Sequence, residues 1–507
     1  MVFAVSFSFA FTKKYLFMST KFTILLFLLS VSIYAQTLSS VIVDSQTNEP
    51  IPFATVTVSA YNGVMSNEEG RFSISVEDPK PTDSLTVMCM GYQTLQLPVD
   101  KPVPDPVKLV ENVFQTVPVF IETRALTAED IVGKVKEGLN TNYDINYQKA
   151  RIFSRNSGND NIKRFKLTVK KSTVDGINQN TMDDFTNSFN RDYVYLNETL
   201  SDAVFNGFNT GHYIPLRTLM IQSKEELASV DKIQAKVLQL MQESFKTDSR
   251  LIIRTGIIRL DKTESIDSII KTMKSDIKAQ KDTLVSTADD TKKRAFIFDD
   301  FFLKKGSKID FLLKSNRYRF AKEGYTTIDG NWVYILSFTP KGRAKFKGKL
   351  YVNAEDFGIV KAEYQSARAV YNKLFNMFGV KANELSLKAT YIFKRIDGKY
   401  FLTYFNKLNV SEFGVDRPFD VIEKNSNVKG RKRINKLKFN LDIYGVNTNK
   451  TEVVFSNYRP VFKETFEGFK PTKDYTKKVL NAYDPSFWRG YNILTPEKAV
   501  EQIKVEE

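Results

Sequence analysis

Three short turns that combine Asp and Gly constrain the fold of this chain more than any other feature of its sequence. Each lies between two runs rich in β-branched and aromatic residues, and an Asx-Gly pair in that position is the strongest short-range signal for a β-hairpin. The turns lie at 329–330, 356–358 and 397–398, and they separate the runs 325–328 and 332–338, 349–352 and 359–364, and 385–395 and 400–410. Two further runs, 436–444 and 452–455, are predicted to pair with each other. The sequence therefore predicts a long antiparallel meander over 296–507.

The region 123–295 has a helical and mixed α/β pattern instead. Thr127 is followed by acidic residues and then by apolar residues at helical spacing, so an amphipathic helix is predicted over 125–139 with Thr127 as its N-cap. Further along this region we predict two helices and a polar loop, over 224–245, 263–284 and 282–294. We expect this region and the meander to form one α+β body.

Residues 36–122 are predicted to be all-β. Short runs rich in β-branched residues alternate with turn-forming clusters at roughly ten-residue spacing, which is typical of a small β-sandwich. This segment holds 4 Lys and Arg against 11 Asp and Glu, so its net charge is −7, whereas residues 123–507 carry +20. Five prolines from Pro98 to Pro118 mark the join to the body, where they disfavour helix and central strand and predict an extended connector or edge strands. The predicted strands lie at 40–43, 53–59, 71–76, 85–90 and 94–99, with turns or loops at 44–50 and 61–70.

Several strings in this segment resemble one known module in their order and spacing. They run over 43–44, 49–56 (EPIPFATV), 67–74 (NEEGRFSI), 85–87 and 91–92. Together they resemble the carboxypeptidase regulatory-like domain, an Ig- or transthyretin-like β-sandwich at the N-terminus of many outer-membrane nutrient receptors and exported proteins of Gram-negative bacteria. The family often has a Gly shortly before the first strand, where this chain has Ser39 and Ser40. The module is not catalytic in the carboxypeptidases, so the resemblance implies a folding or docking module.

Two further resemblances concern the body. The order of the strings 330–336, 348–353 and 357–363 is similar to the half-barrel of periplasmic lipoprotein-carrier proteins, in which a curved antiparallel sheet folds around helices and shelters an acyl chain. The whole arrangement, with the string 484–492 (DPSFWRGYN), resembles a group of exported proteins that carry the regulatory-like domain in front. The implied fold class is multidomain, all-β plus α+β, and neither resemblance assigns a role to a residue.

The N-terminus has the pattern of a secretory signal peptide. Residues 22–33 form an apolar run of 12 residues, preceded by Lys21 and followed by Ala35, and this run is too short to span a bilayer comfortably. We predict a signal peptide over 1–35, with Met18 as an alternative start and a retained N-terminal anchor as the alternative interpretation. The protein is expected in the periplasm or at the outer membrane, without a transmembrane helix after signal removal and with at most peripheral membrane attachment.

The chain has one His, His212, and one Cys, Cys89. A structural zinc site uses four ligands and a catalytic one about three, mostly His and Cys, so neither a conventional zinc centre nor an intrachain disulfide can form. His212 lies in a turn-like string without a local nucleophile or carboxylate, and we interpret it as a loop or packing residue. Cys89 lies in an apolar run and is interpreted as a small buried hydrophobe. We expect no catalytic residue, no cofactor and no metal site.

Carboxylates supply the alternative hypothesis. Two Asp or Glu side chains that face each other across a cleft would permit glycoside hydrolysis, so the second function hypothesis is a hydrolase acting on envelope glycans. The adjacent acids Asp299 and Asp300 are interpreted as a solvated turn instead of a cation site.

Clusters of basic residues in the body form the predicted contact for polyanions. A net charge of +20 attracts polyanions, and after export these are anionic lipid head groups, lipopolysaccharide phosphates and acidic glycans, not nucleic acid. The alternative is that these residues form solvated hairpin tips. The residues that could make the contact are Lys341, Arg343, Lys345, Lys347, Lys349, Arg431, Lys432 and Arg433.

The leading function hypothesis is therefore a non-enzymatic protein of the cell envelope. Its β-sandwich would dock onto other molecules, and an aromatic-rich curved sheet would bind an apolar ligand, a glycolipid or a partner protein. The 40 Phe and 23 Tyr of the chain are expected mainly in this sheet.

Overall fold

A computed structural model describes residues 36–58, 63–76, 79–112, 126–143, 147–189, 191–208, 210–221, 239, 243, 245, 249–256, 258–260, 298, 300–328, 330–369, 379–425, 433–470 and 475–505. The predicted signal peptide, the predicted helix over 263–284 and the loop over 282–294 lie outside these residues. The predicted helix over 224–245 lies outside them at all but three positions.

The N-terminal part consists of two small sheets that pack face to face. Its strands are β1 Gln36–Asp44, β2 Thr55–Thr57, β3 Gly63–Met65, β4 Arg71–Val76, β5 Ser84–Met88, β6 Leu95–Pro98 and β7 Val107–Leu109. One sheet has the order β4-β1-β7 and the other β3-β2-β5-β6. Apolar side chains from both sheets form one core, which includes Ile42, Val56, Phe72 and Leu85. The predicted β-sandwich is confirmed.

The bounds of one sandwich element correct the sequence-based prediction. The segment 61–70 was expected to be a loop, but β3 lies within it and pairs with β2. The proline-rich join contains β7, an edge strand that pairs in parallel with β1, as the edge-strand alternative predicted. Both strands have only three residues, so neither is long enough to give an alternation that sequence reading can detect.

The helices that the structure describes in the body are short. They are α1 Ala128–Glu137, α2 Leu139–Tyr143, α3 Gln179–Asn187, α4 Lys463–Glu467 and α5 Lys498–Glu501, with 3-10 turns at Ser315–Arg317 and Pro485–Trp488. The predicted start of α1 is confirmed, because the Thr127 hydroxyl accepts a hydrogen bond from the Asp130 N–H at 3.1 Å while the Asp130 carboxylate accepts one from the Thr127 N–H at 2.9 Å. This reciprocal pair is a capping box.

Within the residues that the structure describes, a single curved sheet of 13 strands forms the frame of the body. Its main path has the order β13-β14-β15-β16-β17-β18-β19-β8-β9-β10-β20, and β11 pairs with β12 and β18. All pairs are antiparallel except β10 with β20. The strands are β8 Tyr147–Ser172, β9 Asp192–Asn206, β10 Thr210–Ile221, β11 Arg250–Thr255, β12 Ile258–Leu260, β13 Tyr318–Ile328, β14 Asn331–Pro340, β15 Phe346–Asn353, β16 Ile359–Ser366, β17 Val380–Ile396, β18 Lys399–Lys424, β19 Arg433–Pro460 and β20 Thr476–Leu480.

The three predicted Asp-Gly hairpins are confirmed. They join β13 to β14, β15 to β16 and β17 to β18. At the third turn Asp397 has φ 50° and Gly398 has φ 78°, so both central residues are left-handed, as the tight turn favoured in hairpins requires.

Two predictions about the sheet were wrong. The strands are not confined to residues 296–507, because β8 to β12 precede residue 296, and β8, β9 and β10 lie side by side between β19 and β20. Their signal was weak because β8 carries charged and amide side chains on both faces, which hides the alternation. The runs 436–444 and 452–455 do not pair with each other, since both belong to β19, a strand of 28 residues. The polar stretch between them has the composition of a turn but pairs with β18 and β8.

The inner face of the sheet, which is the face toward α1, carries the largest hydrophobic core. Helix α1 buries Ile131 and Val135 there. The segment 298–312 lies on the same core and contributes Phe301, Phe302 and Phe311, which are fully buried in the structure. The Phe311 ring stacks on Phe338 of β14 with 4.4 Å between centroids. The chain's own aromatic residues therefore fill this part of the inner face.

Candidate functional site at the interdomain pocket

The β-sandwich packs on the outer face of the body sheet, where Met65 and Phe53 join the cluster that contains Phe153, Tyr404 and Trp488. The Phe53 ring packs on Tyr404 of β18 with 4.9 Å between centroids. At the edge strand β13 of the body sheet, the Gly91 N–H of the sandwich donates a hydrogen bond to the Thr327 carbonyl at 2.9 Å. The two parts thus make direct contacts at separate strands of the sheet.

Residues 481–505, here called the C-terminal strap, complete this junction. The 3-10 turn in the strap begins at Asp484, whose carboxylate accepts a hydrogen bond from the Ser486 N–H at 3.0 Å. The turn places Phe487 and Trp488 in a buried cluster on the outer face of the sheet. Trp488 is 4% exposed, and its ring meets Phe153 of β8 edge-on at 5.5 Å. The string 484–492 therefore anchors the strap to the body.

A buried ion network lies beneath the strap. Arg155, Glu198 and Glu452 are partners across β8, β9 and β19, and their side chains are 0–1% exposed. The Arg155 guanidinium donates to Glu198 at 2.6 Å and lies 3.6 Å from Glu452. Burial opposes the charge on Arg155, but the two carboxylates outweigh it and raise its pKa. Glu198 also accepts a hydrogen bond from the Trp488 indole N–H at 2.5 Å, so the network holds the strap directly.

A second ion group joins the sandwich, the strap and the body. The Lys450 ammonium of β19 lies 2.5 Å from Glu497 of the strap, 3.2 Å from Glu68 of the sandwich and 3.5 Å from Glu452. Burial opposes the charge on Lys450, but these three carboxylates outweigh it and raise its pKa. Burial also raises the pKa of Glu497, against the attraction of Lys450.

A cavity of about 500 Å³ opens between β1 and β4 of the sandwich and the strap. Its rim includes Tyr491, which is 39% exposed. The Arg217 guanidinium of β10 lies 5.1 Å from the centre of the Tyr491 ring and fixes that ring from the body side. We call this cavity the interdomain pocket. Its remaining polar and aromatic lining includes Thr37, Ser39, Ser40, Arg71, Ser73, Ser75, Asp105, Tyr483, Trp488, Arg489 and Glu501.

The two carboxylates of the interdomain pocket hold its walls together. Glu501 of the strap accepts two hydrogen bonds from the Arg71 guanidinium, at 2.8 and 3.1 Å. This bidentate pair raises the pKa of Arg71. Asp105 accepts a hydrogen bond from the Ser40 hydroxyl at 3.0 Å. Each acid therefore has a partner that belongs to the framework of the pocket.

The residues that the sequence singled out for chemistry lie elsewhere. His212 was expected in a turn but lies in β10, where it is exposed and its ring packs on Phe466 with 4.7 Å between ring centroids. Asp300 lies 3.0 Å from the Lys308 ammonium and 3.4 Å from that of Lys407. Across the described ranges, no group of three His, Cys, Asp or Glu side chains is placed to hold a metal ion.

Cys89 lies at the junction between the sandwich and the body. Burial raises the pKa of its thiol to about 11. Because the thiolate is the reactive form, we expect Cys89 to react with iodoacetamide at pH 8 on the order of 100-fold more slowly than an ordinary thiol. The rate should rise with pH until about 11. Mass spectrometry of the alkylated protein, with glutathione as the reference thiol, measures this, and equal rates at pH 8 would contradict it.

Five of the predicted polyanion contacts lie together. Lys341 and Arg343 are exposed at the turn between β14 and β15, and Lys345, Lys347 and Lys349 follow with exposed side chains into β15. Among the residues that the structure describes, none of the five forms an ion pair. We call this group the basic face.

The other predicted contacts are not part of the basic face. Arg433 pairs with Lys424 at the far end of β18. Lys347 of β15 is in register, through β16 and β17, with Leu408 of β18. Along β18, the distance from Leu408 to Lys424 is roughly 50 Å at about 3.3 Å per residue. Arg431 and Lys432 lie outside the described residues.

The ion network was not predicted from the sequence. Arg155, Glu198 and Glu452 lie in strands that carry other charged residues as well, so nothing in their local sequence distinguishes them. Only the pairing of three strands far apart in the chain brings them together, so no local signal could have identified them.

Comparisons with known proteins agree with the N-terminal fold. Residues 38–112 match the CarboxypepD_reg-like domain family. No curated protein matches the chain.

Solved structures give only distant similarity for the body. A LolA superfamily protein from Nitrosomonas europaea is 12% identical, with 68% of this chain and 98% of that chain covered and a TM-score of 0.18. The MucA/MucB complex of Pseudomonas aeruginosa is 7% identical, with 66% and 99% covered and a TM-score of 0.16. A membrane-associated protein of unknown function from Bacteroides fragilis is 9% identical, with 83% and 97% covered and a TM-score of 0.13. Similarity at these TM-scores carries no argument about the function of this chain.

The sequence strings, the two packed sheets and the family match agree on one assignment: the N-terminal β-sandwich of this chain, residues 38–112, is a CarboxypepD_reg-like domain.

Proposed function

We propose that the protein is a non-enzymatic, exported protein of the cell envelope that docks onto a partner protein at the interdomain pocket. One contrast carries this proposal. The part of the inner face that carries the hydrophobic core is filled by aromatic residues of the segment 298–312, whereas the interdomain pocket is open and has the exposed ring of Tyr491 at its rim. The pocket therefore suits a bound partner better than the inner face suits an acyl chain.

Export and lack of catalysis belong to the same proposal. The predicted signal peptide over 1–35 supports export to the periplasm or the outer membrane. In the part of the chain that the structure describes, no helix has both the length and the apolar character needed to cross a membrane. The role of Glu501 and Asp105 as framework partners supports docking over hydrolysis.

The basic face supports peripheral attachment to an anionic envelope surface. We expect the triple variant Lys345→Glu, Lys347→Glu, Lys349→Glu to bind vesicles that contain phosphatidylglycerol at least about tenfold more weakly, since each cation near such a surface contributes about 1 kcal/mol. Vesicle co-sedimentation at low and high salt measures the change. The matched control is Arg433→Glu, because Arg433 is exposed but lies far from the basic face. Equal losses of vesicle binding in the triple variant and in Arg433→Glu would contradict the assignment of the basic face as the attachment surface.

Site-directed photo-crosslinking in the native host tests the docking site. A photoreactive phenylalanine analogue replaces Tyr491 at the rim of the interdomain pocket, and a second variant carries it at Phe462, which is 81% exposed. If exposure alone governed crosslinking, position 462 would give more adduct. We expect a discrete adduct from position 491 and not from 462.

Two results would overturn the docking proposal. One is the absence of an adduct from position 491 in the envelope fraction. The other is the same adduct pattern from both positions, which would indicate collision instead of binding. Recovery of the protein in the cytoplasm with its first 35 residues intact would separately overturn export.

A further inference from the structure

The edge strand β4 lines the interdomain pocket with Arg71, Phe72, Ser73 and Ser75. It is the outermost strand of the sheet β4-β1-β7, so only β1 pairs with it. In an antiparallel pair, alternate residues direct both backbone groups to the neighbouring strand and the others direct both away from it. The hydrogen bonds of Arg71 and Ser75 identify the outward set as Arg71, Ser73 and Ser75.

Asn67 closes the edge of β4 at Arg71. The Arg71 N–H donates to the Asn67 side-chain oxygen at 2.9 Å. The Arg71 carbonyl accepts a hydrogen bond from the Asn67 N–H, also at 2.9 Å. Asn67 thereby takes the place that a residue of a neighbouring strand would occupy.

Asn492 of the C-terminal strap closes the edge at Ser75 in the same way. Its side-chain oxygen accepts a hydrogen bond from the Ser75 N–H at 2.7 Å, and its side-chain amide donates to the Ser75 carbonyl at 3.2 Å. One asparagine amide thus satisfies both outward backbone groups of one residue.

Ser73 lies between these two closed positions. It lines the interdomain pocket, and within the described ranges its outward N–H and carbonyl have no hydrogen-bond partner. A strand edge with an unpaired donor and acceptor is a template for one more strand. Because Asn67 and Asn492 occupy the positions on either side, only Ser73 is available for pairing, and a second strand cannot pair along the whole edge.

We propose that the interdomain pocket recognises an extended polypeptide segment of the partner protein, one residue of which exchanges two backbone hydrogen bonds with Ser73. This inference rests on the docking function proposed above and names the chemistry of the bound molecule. An extended residue carries one N–H and one carbonyl at the spacing that Ser73 requires. The ring of Tyr491 at the rim offers an apolar contact for a neighbouring side chain of the segment.

Two substitutions of Ser73 distinguish the contribution of its backbone N–H to binding from that of its side chain. Ser73→Pro removes the N–H that would pair with the partner, and proline is tolerated on an edge strand where the N–H faces outward. Ser73→Ala keeps the N–H and removes only the hydroxyl. The probe is an immobilised pool of biotinylated random-sequence heptapeptides, because backbone recognition tolerates many sequences. Biolayer interferometry measures the affinity of the full chain for this pool.

We expect Ser73→Ala to bind the peptide pool within about twofold of the native protein and Ser73→Pro at least about tenfold more weakly, because the variant leaves a peptide carbonyl in the pocket unpaired. Equal affinity of all three proteins, or equal losses in both variants, overturns the proposal. No binding of the native protein to peptides, with binding to maltoheptaose that Ser73→Pro leaves unchanged, overturns it in favour of a glycan.

Hydrogen exchange of the native protein supplies a second measurement that does not depend on the variant folding. The Ser73 amide is expected to exchange rapidly in the free protein and at least about tenfold more slowly with the peptide pool present. Unchanged exchange at Ser73 on saturation overturns strand pairing. If the adduct at position 491 forms in cells and Ser73→Pro does not weaken it, docking at the pocket stands and the strand-pairing inference fails.

Discussion

Replacing Arg155 by methionine is expected to lower the free energy of unfolding by about 3–5 kcal/mol, because it leaves two carboxylates buried without their cation. Glu198 and Glu452 are 0–1% exposed beside Arg155. The loss of the cation also removes the hydrogen bond from Arg155 to the Leu494 carbonyl of the strap, which is 2.8 Å long. We therefore expect the strap and the interdomain pocket to be loosened together with the sheet.

The same strand offers a matched control. Arg164 of β8 also pairs with a carboxylate, Asp442, at 2.6 Å, but its side chain is 55% exposed. Arg164→Met should lower the free energy of unfolding by less than about 1 kcal/mol, since water solvates the charges of an exposed ion pair. Urea unfolding at neutral pH, followed by the shift in midpoint, compares the two variants. Similar losses for Arg155→Met and Arg164→Met would show that burial of the network does not matter.

Replacing Phe301 by alanine is expected to lower the free energy of unfolding by about 3–5 kcal/mol, because it opens a cavity in a closely packed core. Phe301 is 0% exposed on the inner face of the sheet. Its ring contacts Phe302 at 5.2 Å and Tyr391 of β17 at 5.4 Å between centroids. The control Phe462→Ala changes a side chain that is 81% exposed, and should change stability by less than about 0.5 kcal/mol.

The size of the Phe301→Ala effect distinguishes a filled face from a loosely covered one. Thermal unfolding of the native protein and the two variants provides the comparison. A loss below about 1 kcal/mol would mean that the space around Phe301 is not tightly packed, and the lipoprotein-carrier type of cavity would regain support.

Local signals predicted the parts of the fold that depend on a few adjacent residues. The turn at Asp397 and Gly398 needs two residues in the left-handed conformation, and both Asp and Gly tolerate that conformation. The helix start at Thr127 needs a hydroxyl and a carboxylate three residues apart. Such features are determined within a short window of sequence, so reading the sequence is sufficient.

The central strands and the site depend on partners far away in the chain. Strand β8 is stable because β19 and β9 pair with it on both sides, although its own sequence lacks clear alternation. The contact between Ser75 and Asn492 joins positions 417 residues apart. The string 484–492 contained recognisable local features, such as the cap at Asp484, yet nothing in it identified β4 as the strand it covers.

Titration of the purified protein with N-phenyl-1-naphthylamine, a probe whose fluorescence rises in apolar cavities, distinguishes a filled inner face from an open one. If aromatic residues fill the core of the inner face and recognition takes place at the interdomain pocket, the native protein gives no saturable rise in fluorescence. A saturable one-to-one rise that is lost when an added fatty acid competes would contradict this expectation, because it would place an acyl-chain site inside the body.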